Sequence, residues 1–265
     1  MIGALVGDIV GSRFEFDNFR SKSFALFAEN CSFTDDSVMS LALCDALAAC
    51  EGDWSSLGAR AVQSMQSVGR HYPFCGYGGR FHRWIFSGDP RPYNSWGNGS
   101  AMRVSGCIWA ARSLEEAKLL SRIVTEVTHN HEEGIKGAEA TAVAGFMALH
   151  GSSRDEIRDY VASHYYPLDF TLDAIRDTYR FNESCQDTVP QAIEAFLEGT
   201  SFEDAIRGAV SIGGDSDTLA AITGGIAEAF WGVPDAIRAK ALAYLDERLA
   251  GILARFEAKW PGKRA

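Results

Sequence analysis

Residues 213–231 read GGDSDTLAAITGGIAEAFW, and residues 33–50 read FTDDSVMSLALCDALAAC. Each begins with two carboxylates and a hydroxyl, then runs on in small and apolar residues. The apolar positions recur at helical spacing, and strict apolar/polar alternation is nearly absent from the chain. Both stretches therefore read as buried helices, over 37–50 and 216–231. The same pattern predicts helices over 54–68, 114–128, 134–149, 153–164, 187–198, 202–211 and 234–256, joined by connectors with Gly, Pro or Ser at the breaks. The expected fold is all-α, a single multi-helix domain spanning 1–265 with about ten helices.

Two segments break the pattern. Gly3, Gly7 and Gly11 recur every four residues in GALVGDIVGS, which in a soluble helical protein lets a second backbone approach closely. Gly224 and Gly225 stand inside a predicted helix, where each costs about 1 kcal/mol relative to Ala, so a neighbour needs the space. Residues 69–106 hold eight glycines and three prolines, too many for one long helix. Their aromatics, with His71 and His82, argue for an ordered, ligand-facing loop region.

The 265 residues carry 35 Asp and Glu against 25 Lys and Arg, a formal charge of −10. That excess argues against a nucleic-acid groove, which needs a basic face. No apolar run is long enough to span a membrane. The six cysteines show no CxxC spacing, and the opening MIGALVGDIVG has no secretory pattern, so reduced thiols in a cytoplasmic protein are expected.

The acidic pairs allow two interpretations. Asp, Ser and Thr are favoured N-caps, where they meet unpaired N–H groups and the positive end of the helix dipole. Two adjacent carboxylates exceed what one cap needs, however, and repel each other without a cation. If the two helix starts converge, their carboxylates and threonine hydroxyls form an all-oxygen site suited to Mg²⁺, Mn²⁺ or Ca²⁺ and not to Zn²⁺. Four carboxylates exceed the needs of one Mg²⁺, which points to a pair of ions. Other patterns fail on spacing. Asp215-Ser216-Asp217-Thr218 has Leu219 where a DxDxT phosphatase needs threonine. Neither pair fits an EF-hand loop, the ExxH at Glu126–His129 occurs once, and no GxSxG or Walker sequence is present.

Five segments in order resemble the ADP-ribosylglycohydrolase family: GALVGDIVGSRFEF at 3–16, FTDDSVM at 33–39, YGG then SWGNGSAMRVSG within 77–106, THNH at 128–131, and GGDSDTLAA at 213–221. The resemblance implies an all-α fold with a binuclear magnesium site at helix N-termini and hydrolysis at C1″ of an ADP-ribose conjugate. The expected substrate is an ADP-ribosylated protein. By matching motif the ligands of two Mg²⁺, with Mn²⁺ as a substitute, are Thr34, Asp35, Asp36, Asp215, Asp217 and Thr218. Glu15, Asp36 and Asp217 are the acid/base candidates. Ser95, Trp96, Gly97, Asn98 and Gly99 match the loop that holds the diphosphate and distal ribose, beside a helix start expected after Gly99. His129 matches a ligand-contacting histidine. Ser37 stands where threonine is common and Trp96 where tyrosine is familiar. An ADP-ribose reader without turnover, and a hydrolase of another derivative such as O-acetyl-ADP-ribose, are the competing classes.

Overall fold

A computed structural model describes residues 1–265. It contains fourteen α-helices and no sheet: α1 (Ile2–Gly11), α2 (Asp35–Cys50), α3 (Leu57–Gly69), α4 (Gly79–Phe86), α5 (Ser105–Ala110), α6 (Leu114–Glu126), α7 (Glu132–Leu149), α8 (Arg154–His164), α9 (Leu172–Ile175), α10 (Val189–Glu198), α11 (Phe202–Val210), α12 (Ser216–Trp231), α13 (Asp235–Leu242) and α14 (Glu247–Lys259). One hydrophobic cluster of 73 buried residues takes side chains from all of these helices, so the chain folds around a single core.

The centre of that core is the α1–α12 pair. Every residue of α1 is buried, as is α12 from Ser216 to Ala229, which is the burial expected of helices that are apolar nearly all round. The small residues explain how they pack. A Cβ on Gly3 would lie 2.3 Å from the Gly224 carbonyl oxygen, and one on Gly7 would lie 1.9 Å from that of Ala220. One on Gly11 would lie 2.5 Å from the Asp217 Cα. The four-residue glycine spacing thus lays α1 backbone-to-backbone along α12, and its last contact falls on a candidate site residue. Around this pair, α2 packs against α3, α5 and α14, while α7 packs against α5, α6, α10 and α12.

The structure corrects three readings of helix extent. The predicted 234–256 helix is two helices, because Asp246 caps a new start by accepting the Leu249 N–H at 2.9 Å. The region 69–106 is not one loop: it contains α4 and the first two residues of α5. After Gly97 the chain makes only a three-residue 3-10 turn, Asn98–Ser100, and the next α-helix starts at Ser105. The helix start expected after Gly99 is therefore displaced to Ser105 and does not adjoin the 95–99 loop directly. All six cysteines are free thiols. No helix is long and apolar enough to cross a membrane.

Candidate active site

The starts of α2 and α12 converge. Thr218 on α12 donates its hydroxyl to Asp36 Oδ2 on α2 at 3.3 Å, across 182 residues of chain. Two left-handed glycines, Gly213 and Gly214 with φ of 69° and 74°, turn the chain into α12. A Cβ on Gly214 would lie 2.5 Å from the Tyr179 ring, so both the conformation and the space call for glycine there.

Capping accounts for little of the acid. Thr34 caps α2 by accepting the Asp36 N–H at 3.3 Å, which leaves both aspartate side chains free of that duty. Asp215 occupies the N-cap position of α12 but makes no capping bond. Its Oδ2 instead accepts from the Asn98 side-chain amide at 2.7 Å. Asp217 Oδ1 accepts the Thr218 N–H at 3.0 Å. Asp36 Oδ1 is buried and has no hydrogen-bond partner at all.

Two groups of carboxylates form here, each with ligand oxygens within 4.8 Å of one another: Asp8, Asp36 and Asp217, and Glu15, Asp215 and Asp217. Asp217 belongs to both. Burial raises Asp35, Asp36 and Asp217 well above the usual carboxylate range, and their mutual repulsion adds to it. Burial also pushes Asp215 up to about 6. Glu15, half-buried, is pushed up to about 8 by burial and by the nearby Asp217 and Asp8. A buried carboxylate oxygen without a donor, among crowded acids and hydroxyls and with no nitrogen or sulfur ligand in either group, fits hard divalent cations.

All of these acids except Asp8 line a cavity of about 290 Å³. Every expected site residue except Thr34 and Trp96 lines it. Thr34 stands behind the acids, donating to Asp8 Oδ1 at 2.7 Å. Trp96 is 48% exposed and lines an adjoining recess with Ser95, Gly97 and Glu183. Much of the 95–99 loop is held from within. Asn98 donates its side chain to Asp215 and Thr188 and its backbone N–H to the Glu183 carbonyl, and the Gly97 N–H goes to Ser95 Oγ. Asn98 therefore positions Asp215 as well as facing the cavity. Of the two nearby histidines, His129 lines the cavity, whereas His131 caps α7 by accepting the Glu133 N–H at 3.1 Å.

Among the site residues not singled out from sequence are Asp8 and Arg103. Asp8, fully buried, accepts from the Thr34 N–H at 2.9 Å, the Thr34 hydroxyl and the Ser37 N–H at 3.0 Å. The one available signal was a lone charge in an otherwise apolar glycine-spaced helix. Arg103, 1% exposed, lines the cavity; it lies within the SWGNGSAMRVSG segment, where its charge among small and apolar residues was the available signal.

The ADP-ribosylglycohydrolase family model matches residues 1–264. ADP-ribosylhydrolase ARH3 of Homo sapiens is 25% identical over 88% of this chain and 84% of its own. ADP-ribosylarginine hydrolase Tri1 of Pseudomonas putida is 27% identical over 88% of this chain and 70% of its own. A solved structure titled ADP-ribosylglycohydrolase-related protein complex superposes with a TM-score of 0.69 over 97% of this chain and 95% of that one, at 23% identity, and so shares the fold. With a family match over nearly its whole length and the acidic centre its motifs anticipated, the chain belongs to the ADP-ribosylglycohydrolase family and is a hydrolase.

Proposed function

We propose that this protein removes mono-ADP-ribose from modified protein side chains by hydrolysing the bond at C1″, with two Mg²⁺ as its cofactor and Mn²⁺ as a substitute. The observation that carries the reading is the pair of carboxylate groups sharing Asp217, set at the floor of an open cavity. Thr34, Asp35, Asp36, Asp215, Asp217 and Thr218 would hold the ions, and Asp8 joins them in support. When bound, the ions supply charge to fix the ribose hydroxyls and to lower the pKa of a water.

The remaining work belongs to the chain's own groups. Glycosidic cleavage develops positive charge on the ribose ring and needs a proton at the departing atom. Glu15 is the acid/base candidate best placed for that proton: it lies on the cavity side of the cluster and is half-buried, within reach of a bound conjugate. Asp36 and Asp217 lie deeper and, kept ionised by the cations they would hold, suit acceptance of a proton from the attacking water. The loop from Ser95 to Gly99, with Trp96 at the adjoining recess and His129 behind it, is the surface for the rest of the ADP-ribose.

The test is a product assay over arginine-linked, serine-linked and O-acetyl ADP-ribose conjugates, with Mg²⁺ or with excess chelator. ADP-ribose release that requires Mg²⁺ and disappears in Asp217→Ala is the expected result. Tight binding without release from any conjugate would instead make the protein a reader, and full activity under exhaustive chelation would remove the metal account.

A further inference from the structure

Arg103 is a buried cation with no carboxylate partner. It is 1% exposed, its guanidinium lies over the Phe81 ring at 5.3 Å, and its Nε has no hydrogen-bond partner. Burial brings it down only to about 10, so it keeps its charge at neutral pH. Its one short hydrogen bond runs from Nη2 to Thr128 Oγ1 at 2.6 Å. Thr128 Oγ1 in turn lies 2.7 Å from His129 Nδ1.

The direction of this chain of contacts follows from what each group can do. A guanidinium has only donors, so Thr128 Oγ1 accepts from Arg103. The threonine has one proton left to give. The Thr125 carbonyl is 3.4 Å away and His129 Nδ1 is 2.7 Å away, so the proton goes to the histidine. Arg103 Nη2 also points at Nδ1, from 3.5 Å, and it too has only protons to offer. Nδ1 is thus an acceptor, and in a neutral ring the proton must sit on Nε2. The ring is neutral because burial and the adjacent Arg103 charge hold its pKa well below the ordinary histidine range.

The far side of the ring faces the 95–99 loop. A Cβ on Gly97 would lie 3.7 Å from Nε2 and one on Gly99 3.5 Å, and the two glycines leave that space clear. The ring's hydrogen bonds all fall on Nδ1. We propose that Arg103 is a positioning residue which, through Thr128, locks His129 as the neutral Nε2–H form and aims that donor at an acceptor oxygen of the substrate. The target of the donor rests on the functional reading above; the proton's location does not. His129 is then a fixed neutral donor and neither a cationic anchor nor a proton-transfer group.

Nitrogen-15 NMR of histidine-labelled full-length protein at pH 7.5 tests this, with His129→Gln used to assign the signal. The expected spectrum shows Nδ1 unprotonated and Nε2 protonated. In Thr128→Val the single form gives way to a mixture, while Thr128→Ser restores it. The same Val variant is expected to raise KM for the hydrolysed conjugate roughly fivefold, as the loss of one neutral hydrogen bond would, with kcat changed less than about twofold. Arg103→Met should move the spectrum the same way; if it does not fold, the wild-type and Thr128 spectra decide alone. A proton on Nδ1 in the wild type, or an unmixed Nε2–H form in Thr128→Val, overturns the proposal. A locked Nε2–H form in a protein that releases no ADP-ribose upholds it and overturns the functional reading.

Discussion

Asp8 shows how one side chain can tie helix geometry to site chemistry. Its Oδ2 accepts the N–H groups of Thr34 and Ser37 at the start of α2, and its Oδ1 accepts the Thr34 hydroxyl. Asp8→Asn separates its hydrogen bonding from its charge. The amide oxygen can keep both N–H donors, and the NH₂ can meet Thr34 if that hydroxyl turns round. The variant should therefore fold, yet one anionic oxygen is lost beside Asp36 and Asp217 and the Thr34 oxygen is re-aimed. Mg²⁺ affinity, measured by calorimetry, should weaken roughly ten- to a hundredfold, the usual cost of disturbing a metal's supporting groups. Unchanged affinity would exclude Asp8 from the centre. The residue types at 34–36 and 215–218 could be read from sequence because a pair of carboxylates at a helix start is more than capping requires. Asp8 could not, because burial of a single acid inside an apolar helix is a tertiary fact. Nor could the role of Asn98 in holding Asp215, which depends on a contact 117 residues away.

At the scale of elements, the α1–α12 contact decides where the acids stand. The glycine spacing and the Gly224-Gly225 pair announced a close approach, and the structure supplies the partner: each helix is the other's neighbour. Gly7→Ala puts a methyl group 1.9 Å from a carbonyl oxygen within a backbone-to-backbone contact, and no side chain can turn aside to relieve it. The variant should lose at least about 3 kcal/mol in urea unfolding, at or above the usual overpacking range. Gly251→Ala is the control. It lies inside α14 with nothing closer to a new Cβ than 3.7 Å, so it should gain about 0.5–1 kcal/mol from helix propensity. Equal effects at the two positions would mean that α1 does not pack as described. Periodicity recovered the long helices, but it ran through the 243–246 break because the Asp246 cap sits among residues that themselves suit a helix. It also missed α1, α4, α5 and α9, which are four to ten residues long, with glycines inside α1 and α5 and at the start of α4, too short for a period to show.

Over the whole molecule, a charge of −10 argues against a polyanion groove, but the distribution of that charge matters more than its sum. Asp8, Asp35, Asp36, Asp215 and Asp217, with Glu15 at the edge, concentrate negative charge where segments from both ends of the chain meet. Without cations these groups have folded-state pKa values above their unfolded ones. The folded state then binds more protons than the unfolded state, so stability is lost as pH rises through the raised values, near 6 for Asp215 and near 8 for Glu15. His129 acts in the opposite sense, because its lowered pKa costs stability only as pH falls below about 6.5. Between pH 6.5 and 8.5 the acids therefore set the trend. In chelator, Tm should fall across that window. Mg²⁺ should raise Tm at both ends and by more at pH 8.5, since ions bind the ionised carboxylates and favour the folded state by mass action. Hydrogen exchange should place the added protection at the starts of α2 and α12 and along α1, leaving α8 unchanged. A Tm in chelator that is flat or rising with pH, or protection spread evenly over all helices, would show that the acids at these helix starts do not act as one cation-requiring unit.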